Sequence, residues 1–238
     1  MIFPEDSFEQ QYIALRSKEQ RIYTDQEVAR LPEIGPSHVH YKEWVIRKNS
    51  SQHLIQYLKR KKQSLNMLEI GCGNGWLSSR LSDTGNCRVT GIDINSTELR
   101  QAERVFHGKK NLSFVSGDIR SGILNNAGFN IIVFAASLQY FSSLSEVFLA
   151  AFNHLHAGGE IHIIDTRFYR KEQLEAARQA TRDYFCSLGF AGMASHYFHH
   201  CTEDLKKFNP QILFSPDSLK SKVFGNRSPF YWVSIKNN

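Results

Sequence analysis

The 238-residue sequence reads as an α/β protein wound around an open, mostly parallel sheet. A glycine-rich turn, Glu69-Ile-Gly-Cys-Gly-Asn-Gly75, joins the apolar run Leu65-Asn-Met-Leu-Glu-Ile70 to a helix start at Trp76-Leu-Ser-Ser-Arg-Leu81. A second β-like run, Arg88-Val-Thr-Gly-Ile-Asp93, ends in a carboxylate 24 residues after Glu69. That separation is one strand–helix–strand unit, so Asp93 belongs at the tip of the strand beside the first. Further strand-like runs follow with helical stretches between them, the alternation expected of a parallel sheet.

Each element has its own justification. Glycines at 71, 73 and 75 let the backbone turn sharply and lie against a ligand, because no Cβ intervenes. Such a turn between strand and helix is where open α/β sheets bind nucleotide-like ligands. A dinucleotide fingerprint would need its last glycine at position 76, which is Trp, and no Gly-Lys-Ser/Thr follows to make a P-loop. Asp93 can accept both ribose hydroxyls of an adenosine. Asn95-Ser-Thr-Glu98 supplies the cap of the next helix, which leaves Asp93 for a ligand. Asn111-Leu-Ser-Phe-Val-Ser116 reads as the third strand and ends at Gly117-Asp118-Ile119. Asn130 to Ala135 reads as a buried fourth strand that gives way to Ser137-Leu-Gln-Tyr-Phe141. Leu155-His-Ala-Gly-Gly-Glu-Ile-His-Ile-Ile-Asp165 reads as a turn into the fifth.

The order and spacing of these segments over residues 65–166 resemble the class I S-adenosylmethionine (AdoMet)-dependent methyltransferases. Glu-x-Gly-x-Gly-x-Gly is similar to their motif I, the fourth strand to their motif IV, and Leu155 to Gly159 to their Leu-x-Pro-Gly-Gly turn. Asn130 stands where the family usually has Asp, and Ala157 where it has Pro. The resemblance implies a Rossmann-like, seven-stranded sheet with helices on both faces and an antiparallel C-terminal hairpin. It implies AdoMet as cofactor and S-adenosyl-L-homocysteine as product. The implied cofactor contacts are Glu69, Gly71, Cys72, Gly73, Gly75, Asp93, Ile94, Asp118, Ile119 and Ala135. In the family, the residue matching Asp118 meets the adenine amino group and the next apolar residue packs on the ring.

The flanks are less patterned. Ser7-Phe-Glu-Gln10 and Thr24-Asp-Gln-Glu27 have the capping-box form of two short helices. Pro32, Gly35 and Pro36 break the chain before a helical stretch from about 38 to 62, with Trp44, Leu54, Ile55 and Leu58 inward. Residues 1–64 are therefore expected to form a helical cap rather than an independent domain, and 65–238 the AdoMet-binding domain. About 167–208 reads as an insertion after strand five, with a helix over Lys171 to Leu188 that Gly189 ends. Pro210 to Ser215 and Pro229 to Lys236 read as the closing strands. Ser215-Pro216 looks like a helix start and Gly225 like its stop.

Composition sets limits. Hydrophobic residues make up 41% of the chain, enough for a sizeable core, and no 18-residue apolar run could span a membrane. Glu5 and Asp6 stand where a signal peptide would carry positive charge. Cysteines at 72, 87, 186 and 201 lack metal or disulfide spacing, so a reducing, cytoplasmic location is expected. The net charge of +6 is partly Lys59-Arg-Lys-Lys62, which suits a helix C-terminus better than a nucleic-acid face.

Methyl transfer from a sulfonium requires an aligned nucleophile and exclusion of water, and a base only for a protonated acceptor. Candidates beyond the strand ends are Ser137, Leu138, Gln139 and Tyr140 after strand four, and Asp165, Thr166 and Arg167 after strand five. His196, His199 and His200 cluster, with 196 and 200 on one helical face. They lack the third ligand of a metal site, so no metal is expected, and a packed or surface role competes with that of a base. Gln139, Tyr140, His196 and His200 are taken as the catalytic set. Tyr41 and Arg47 are candidates for the methionine carboxylate. The strand-four loop has neither the Asp/Asn-Pro-Pro-aromatic of amino-methylating nucleic-acid enzymes nor a Pro-Cys nucleophile. The expected partner is thus a small-molecule acceptor, as in quinone-biosynthesis and related methyltransferases. A catalytically silent AdoMet-binding protein and an RNA- or protein-directed enzyme are the competing readings.

Overall fold

A computed structural model of the chain describes residues 8–125, 127–216 and 228–237. Five parallel strands carry the centre: β1 (Leu65–Ile70), β2 (Cys87–Asp93), β3 (Leu112–Ser116), β4 (Phe129–Ala135) and β5 (Leu155–Thr166). A short parallel pair lies outside the main sheet, β6 (Phe168–Tyr169) with β7 (His200–Cys201). The last two strands are β8 (Gln211–Phe214) and β9 (Tyr231–Lys236). Seven of these form one sheet in the order β3-β2-β1-β4-β5-β9-β8. β9 is antiparallel to both neighbours.

Strand order reverses between β1 and β4, so a crevice opens at their carboxyl ends. At the opposite, amino ends of β1 and β4, register is held by side chains as well as the ladder. Asn130 Oδ1 accepts from the Asn66 amide at 2.8 Å, and Asn66 Nδ2 donates to the Gly128 carbonyl at 2.6 Å. Asn130 thus supplies the same acceptor oxygen to β1 that an Asp would.

Alternation along the strands feeds two apolar layers. Leu68, Ile70, Ile132 and Phe134 pack on one face with Val147 and Phe148 of α6 (Leu144–Asn153). Met67, Ile131 and Val133 pack on the other with Trp44, Leu54 and Leu58 of α3 (Tyr41–Lys59) and with Trp76, Leu77 and Leu81 of α4 (Trp76–Ser82). α5 (Ser96–Phe106) follows β2 and starts at Asn95, whose Oδ1 accepts from the amides of Thr97 and Glu98. The box at Thr24 opens α2 (Asp25–Val28), with Thr24 Oγ1 and the Glu27 carboxylate each accepting the other's amide. α1 (Phe8–Lys18) lies ahead of it, and α7 (Leu174–Leu188) and α8 (Thr202–Leu205) occupy the segment after β5.

Several boundaries differ from the sequence expectation. α3 is shorter at both ends than 38–62, since residues 38–40 form a turn and Arg60 is the C-cap. β5 runs one residue past Asp165. The β6–β7 pair has no apolar run long enough to be read as strands. The box at Ser7 begins outside the described residues, as does the helix expected from Pro216 to Gly225 beyond its first residue.

Gly75 caps α4 at φ +73°, and a Cβ there would lie 2.6 Å from Phe114 Cζ and 2.9 Å from Ala102 Cβ. Gly75→Ala is expected to destabilise the fold by about 2 kcal/mol through strain and overpacking. Chemical denaturation would check this. An unchanged midpoint would mean that the turn is more pliable than its packing implies.

Candidate functional site

Hydrogen bonds fix the glycine turn before any ligand arrives. The Gly71 and Cys72 amides both donate to the Ile92 carbonyl, at 2.8 and 3.2 Å. The Gly73 amide donates to Asp93 Oδ2 at 2.7 Å, and the Asn95 amide to Asp93 Oδ1 at 2.8 Å. Asp93 is therefore already engaged with the backbone, although each oxygen keeps a further lone pair. From the β4 side, Ser137 Oγ donates to the Ile70 carbonyl at 2.6 Å. Ser137 approaches so closely that a Cβ on Gly71 would lie 2.4 Å from its own Cβ.

These turns form the floor of a cavity of about 210 Å³. Glu69, Gly71, Cys72, Gly73, Asp93, Ile94, Asp118, Ile119 and Ala135 all line it. Gly75 lies just behind, against Phe114. Ile94 is 52% exposed, a large apolar side chain presented at the cavity edge, whereas Ile119 is buried. Asp118 caps the turn after β3 and is paired with Arg120, whose guanidinium also lies 5.6 Å from the Phe141 ring centroid.

The roof comes from α1 to α3. Phe8, Tyr12 and Arg16 project from α1, and Arg21 and Tyr23 from the segment after it. Glu43, Trp44 and Arg47 project from α3. Glu9 pins α1 to the start of α5 by accepting from Ser96 Oγ at 2.8 Å and the Thr97 amide at 3.0 Å. Arg16 Nη2 donates to the Tyr140 hydroxyl at 2.7 Å and ties the roof to the β4 loop. Trp44 Nε1 donates to the Tyr23 hydroxyl, and the Trp44 ring meets Trp76 edge-on at 5.2 Å. Arg21 and Arg47 both pair with Glu43, at 2.7 and 2.9 Å.

Enclosure shifts the carboxyl groups. Burial pushes Glu69 up to about 8, against the opposing hydrogen bond from Ser78 Oγ. Glu98, facing Gly73 and without a side-chain hydrogen bond among the described residues, is pushed to about 7 by burial and by Asp93. Burial also raises Asp93, partly offset by its backbone donors. Glu43 goes the other way, to about 2, because its two arginines outweigh burial.

The sequence-derived catalytic set is only partly gathered here. Tyr140 lines the cavity; Gln139, His196 and His200 do not. Gln139 Nε2 donates to the Ala136 carbonyl, and His196 packs 4.9 Å from the Phe8 ring outside the wall. His200 is buried with Nε2 donating to the Leu138 carbonyl, and burial lowers its pKa. Arg47 reaches the cavity and Tyr41 does not. Asp165 sits at φ +53° beside the main cavity, where Ser50 Oγ donates to its Oδ2 at 2.9 Å. Among the described residues no cluster of His, Cys, Asp and Glu could hold a metal. Of the basic run, Lys61 pairs with Glu160 at 2.9 Å, and all four residues precede β1, at the sheet end away from the cavity.

Sequence reasoning missed Phe8, Tyr12, Arg16, Arg21 and Glu98. One signal was available: 8, 12 and 16 recur at i, i+4 spacing and so share a helix face.

Comparison with known proteins agrees with this geometry. The sequence pattern of the methyltransferase-domain family matches residues 61–213. The chain belongs to that family. A malonyl-[acyl-carrier protein] O-methyltransferase of Bacillus anthracis is 27% identical over 118 residues, 48% of this chain and 43% of the relative. The match therefore spans less than half the length of that relative. Among solved structures, the magnesium protoporphyrin IX methyltransferase of Synechocystis with bound AdoMet has a TM-score of 0.60 at 11% identity. It covers 99% of this chain and 100% of its own. A plantazolicin methyltransferase in complex with S-adenosylhomocysteine has a TM-score of 0.59 at 16% identity, covering 96% and 100%. These two likenesses establish the fold.

Glu69 gives a pH test. Folded, it keeps its proton up to about 8, whereas an exposed carboxyl releases it near 4.5. Between those values the unfolded chain binds fewer protons, so stability falls as pH rises through the window. Glu69→Gln removes this term, and its melting temperature relative to the wild type should rise between about pH 5 and pH 8. A constant difference across that range would show that Glu69 is ionised throughout.

Proposed function

We propose that this protein is an AdoMet-dependent methyltransferase acting on a small-molecule acceptor. The observation that carries the reading is a single roofed cavity in which the glycine turn, Asp93, Asp118 with Ile119, and the β4 turn meet. The cavity suits AdoMet in detail. The glycine turn leaves room where side chains would clash, Asp93 retains lone pairs for ribose hydroxyls, and Ile94 and Ile119 offer apolar faces for an adenine. Arg47 would hold the methionine carboxylate, and Glu69 and the turn backbone would flank the amino acid part.

AdoMet supplies a methyl group already activated by a positively charged sulfur. The protein's task is then orientation and exclusion of water. Tyr140 stands in the wall beyond β4, where an acceptor would meet the methyl group, and Phe8, Tyr12 and Arg16 of α1 partly cover that region. The histidine cluster has no assigned part in this scheme. Residues up to 64 are read as a cap on a catalytic domain comprising 65–238. A partly roofed cavity of this size suits a metabolite, and the four free cysteines are consistent with a cytoplasmic location. No described helix is long and apolar enough to cross a membrane. The names of the related proteins specify different acceptors, so what supports the reading is the shared chemistry of methyl transfer.

Calorimetry should detect binding of both AdoMet and S-adenosylhomocysteine. Asp93→Ala should weaken each by about tenfold or more, the equivalent of one charge-assisted hydrogen bond. A wild-type protein that binds neither would contradict the assignment.

A further inference from the structure

One end of the cavity collects donors that no part of the cofactor reading uses. Arg16 reaches it from α1, with its guanidinium 4.8 Å from the Tyr12 ring centroid and its Nη2 on the Tyr140 hydroxyl at 2.7 Å. The phenol of Tyr140 accepts that bond and so keeps its own proton to donate. Tyr12, whose ring lies against that guanidinium, lines the same wall. A guanidinium and two phenolic O–H groups therefore converge where the wall is otherwise aromatic, from Phe8 and Phe141.

The charge around them is incomplete. Arg16, Arg21 and Arg47 share two carboxylates: Glu19 pairs with Arg16 and Arg21, and Glu43 with Arg21 and Arg47. Arg21 Nε is buried 3.4 Å from Glu19 Oε2 and makes no well-aligned hydrogen bond among the described residues. Arg47 is the cation whose field reaches Glu69 and Asp165, at the ends of β1 and β5. Arg16 acts on Tyr12 and Tyr140 beside the β4 loop, and both arginines act on Glu98. With Arg47 assigned to the methionine carboxylate, Arg16, bonded to Tyr140 beyond β4, is left for the acceptor end. Among the described residues no imidazole lines the cavity, where the groups titrating near neutrality are Glu69 and Glu98.

We infer that the acceptor is an organic carboxylate with an apolar body, held by Arg16, Tyr12 and Tyr140 and converted to its methyl ester. The inference rests on the methyltransferase reading above and names its substrate class. In the step, a carboxylate oxygen forms the new O–CH₃ bond while the C–S bond breaks and its electron pair stays on sulfur. The sulfonium becomes a neutral thioether and the carboxylate a neutral ester. No proton moves, so no base is required. Arg16 and the two phenols orient the carboxylate and hold its second oxygen, and the aromatic walls take its apolar part.

Benzoate and its neutral counterpart benzamide test this on the protein saturated with S-adenosylhomocysteine. By calorimetry, benzoate should bind the wild type about tenfold or more tightly than benzamide, a single charge-assisted contact. Arg16→Met should abolish the preference while leaving S-adenosylhomocysteine affinity within about threefold, and Arg16→Lys should restore part of it. With trideuteromethyl-labelled AdoMet and benzoate, labelled methyl benzoate should appear by mass spectrometry. Equal affinities for benzoate and benzamide in the wild type would overturn the inference and leave the methyltransferase reading standing. Loss of about tenfold or more in S-adenosylhomocysteine affinity in Arg16→Lys would also overturn it, placing Arg16 on the methionine carboxylate. A wild type that fails to bind S-adenosylhomocysteine would remove the parent reading itself.

Discussion

The hydrogen bond from the Gly73 amide to Asp93 Oδ2 organises this molecule more than any other contact. It fastens the turn after β1 to the tip of β2, and the Asn95 amide on the other Asp93 oxygen fastens the start of α5 to the same point. The turn can come this close only because positions 71, 73 and 75 adopt positive φ, which glycine tolerates at little steric cost. Ser137 then packs onto Gly71 and brings the β4 turn alongside. Three strand ends are thereby held around one small space. The roof of α1 and α3 has a fixed floor on which to close.

Electrostatics follow from that enclosure. Carboxyl groups at the strand ends would repel one another if all were charged. Burial resolves this by leaving Glu69 protonated at neutral pH, and it brings the nearby Glu98 of α5 close to its titration point. The roof has the opposite balance, with three arginines sharing two carboxylates. A ligand carrying both an anionic group and a cationic centre fits between such surfaces. AdoMet has both.

Much of the fold was legible because buried parallel strands are written as apolar runs. β1 matches its expected limits, and β2 to β5 differ by about a residue. The caps at Thr24 and Asn95 were legible because their chemistry is local. β6 and β7 were not: two residues each carry no period, and their pairing depends on how residues 167–208 fold back. The cavity floor was readable from spacing, since strand ends in this topology converge wherever the chain places them. Its roof was not, because Glu9 meets Ser96 and Arg16 meets Tyr140 across 87 and 124 residues. The histidines drew attention by proximity in sequence, yet His200 faces inward onto the Leu138 carbonyl and His196 packs against Phe8. Proximity along the chain carries little information about direction in an irregular segment.

The central claim is that the space between the glycine turn and the α1 roof is an AdoMet pocket organised by Asp93. A crystal structure of the protein grown with S-adenosylhomocysteine tests it most directly. The account predicts the ribose at Asp93, the adenine between Ile94 and Ile119, and the amino acid end against Gly71 and Arg47 beneath a closed α1. Ligand density elsewhere on the molecule, or an adenosine turned toward Tyr140 with Asp93 untouched, would contradict it.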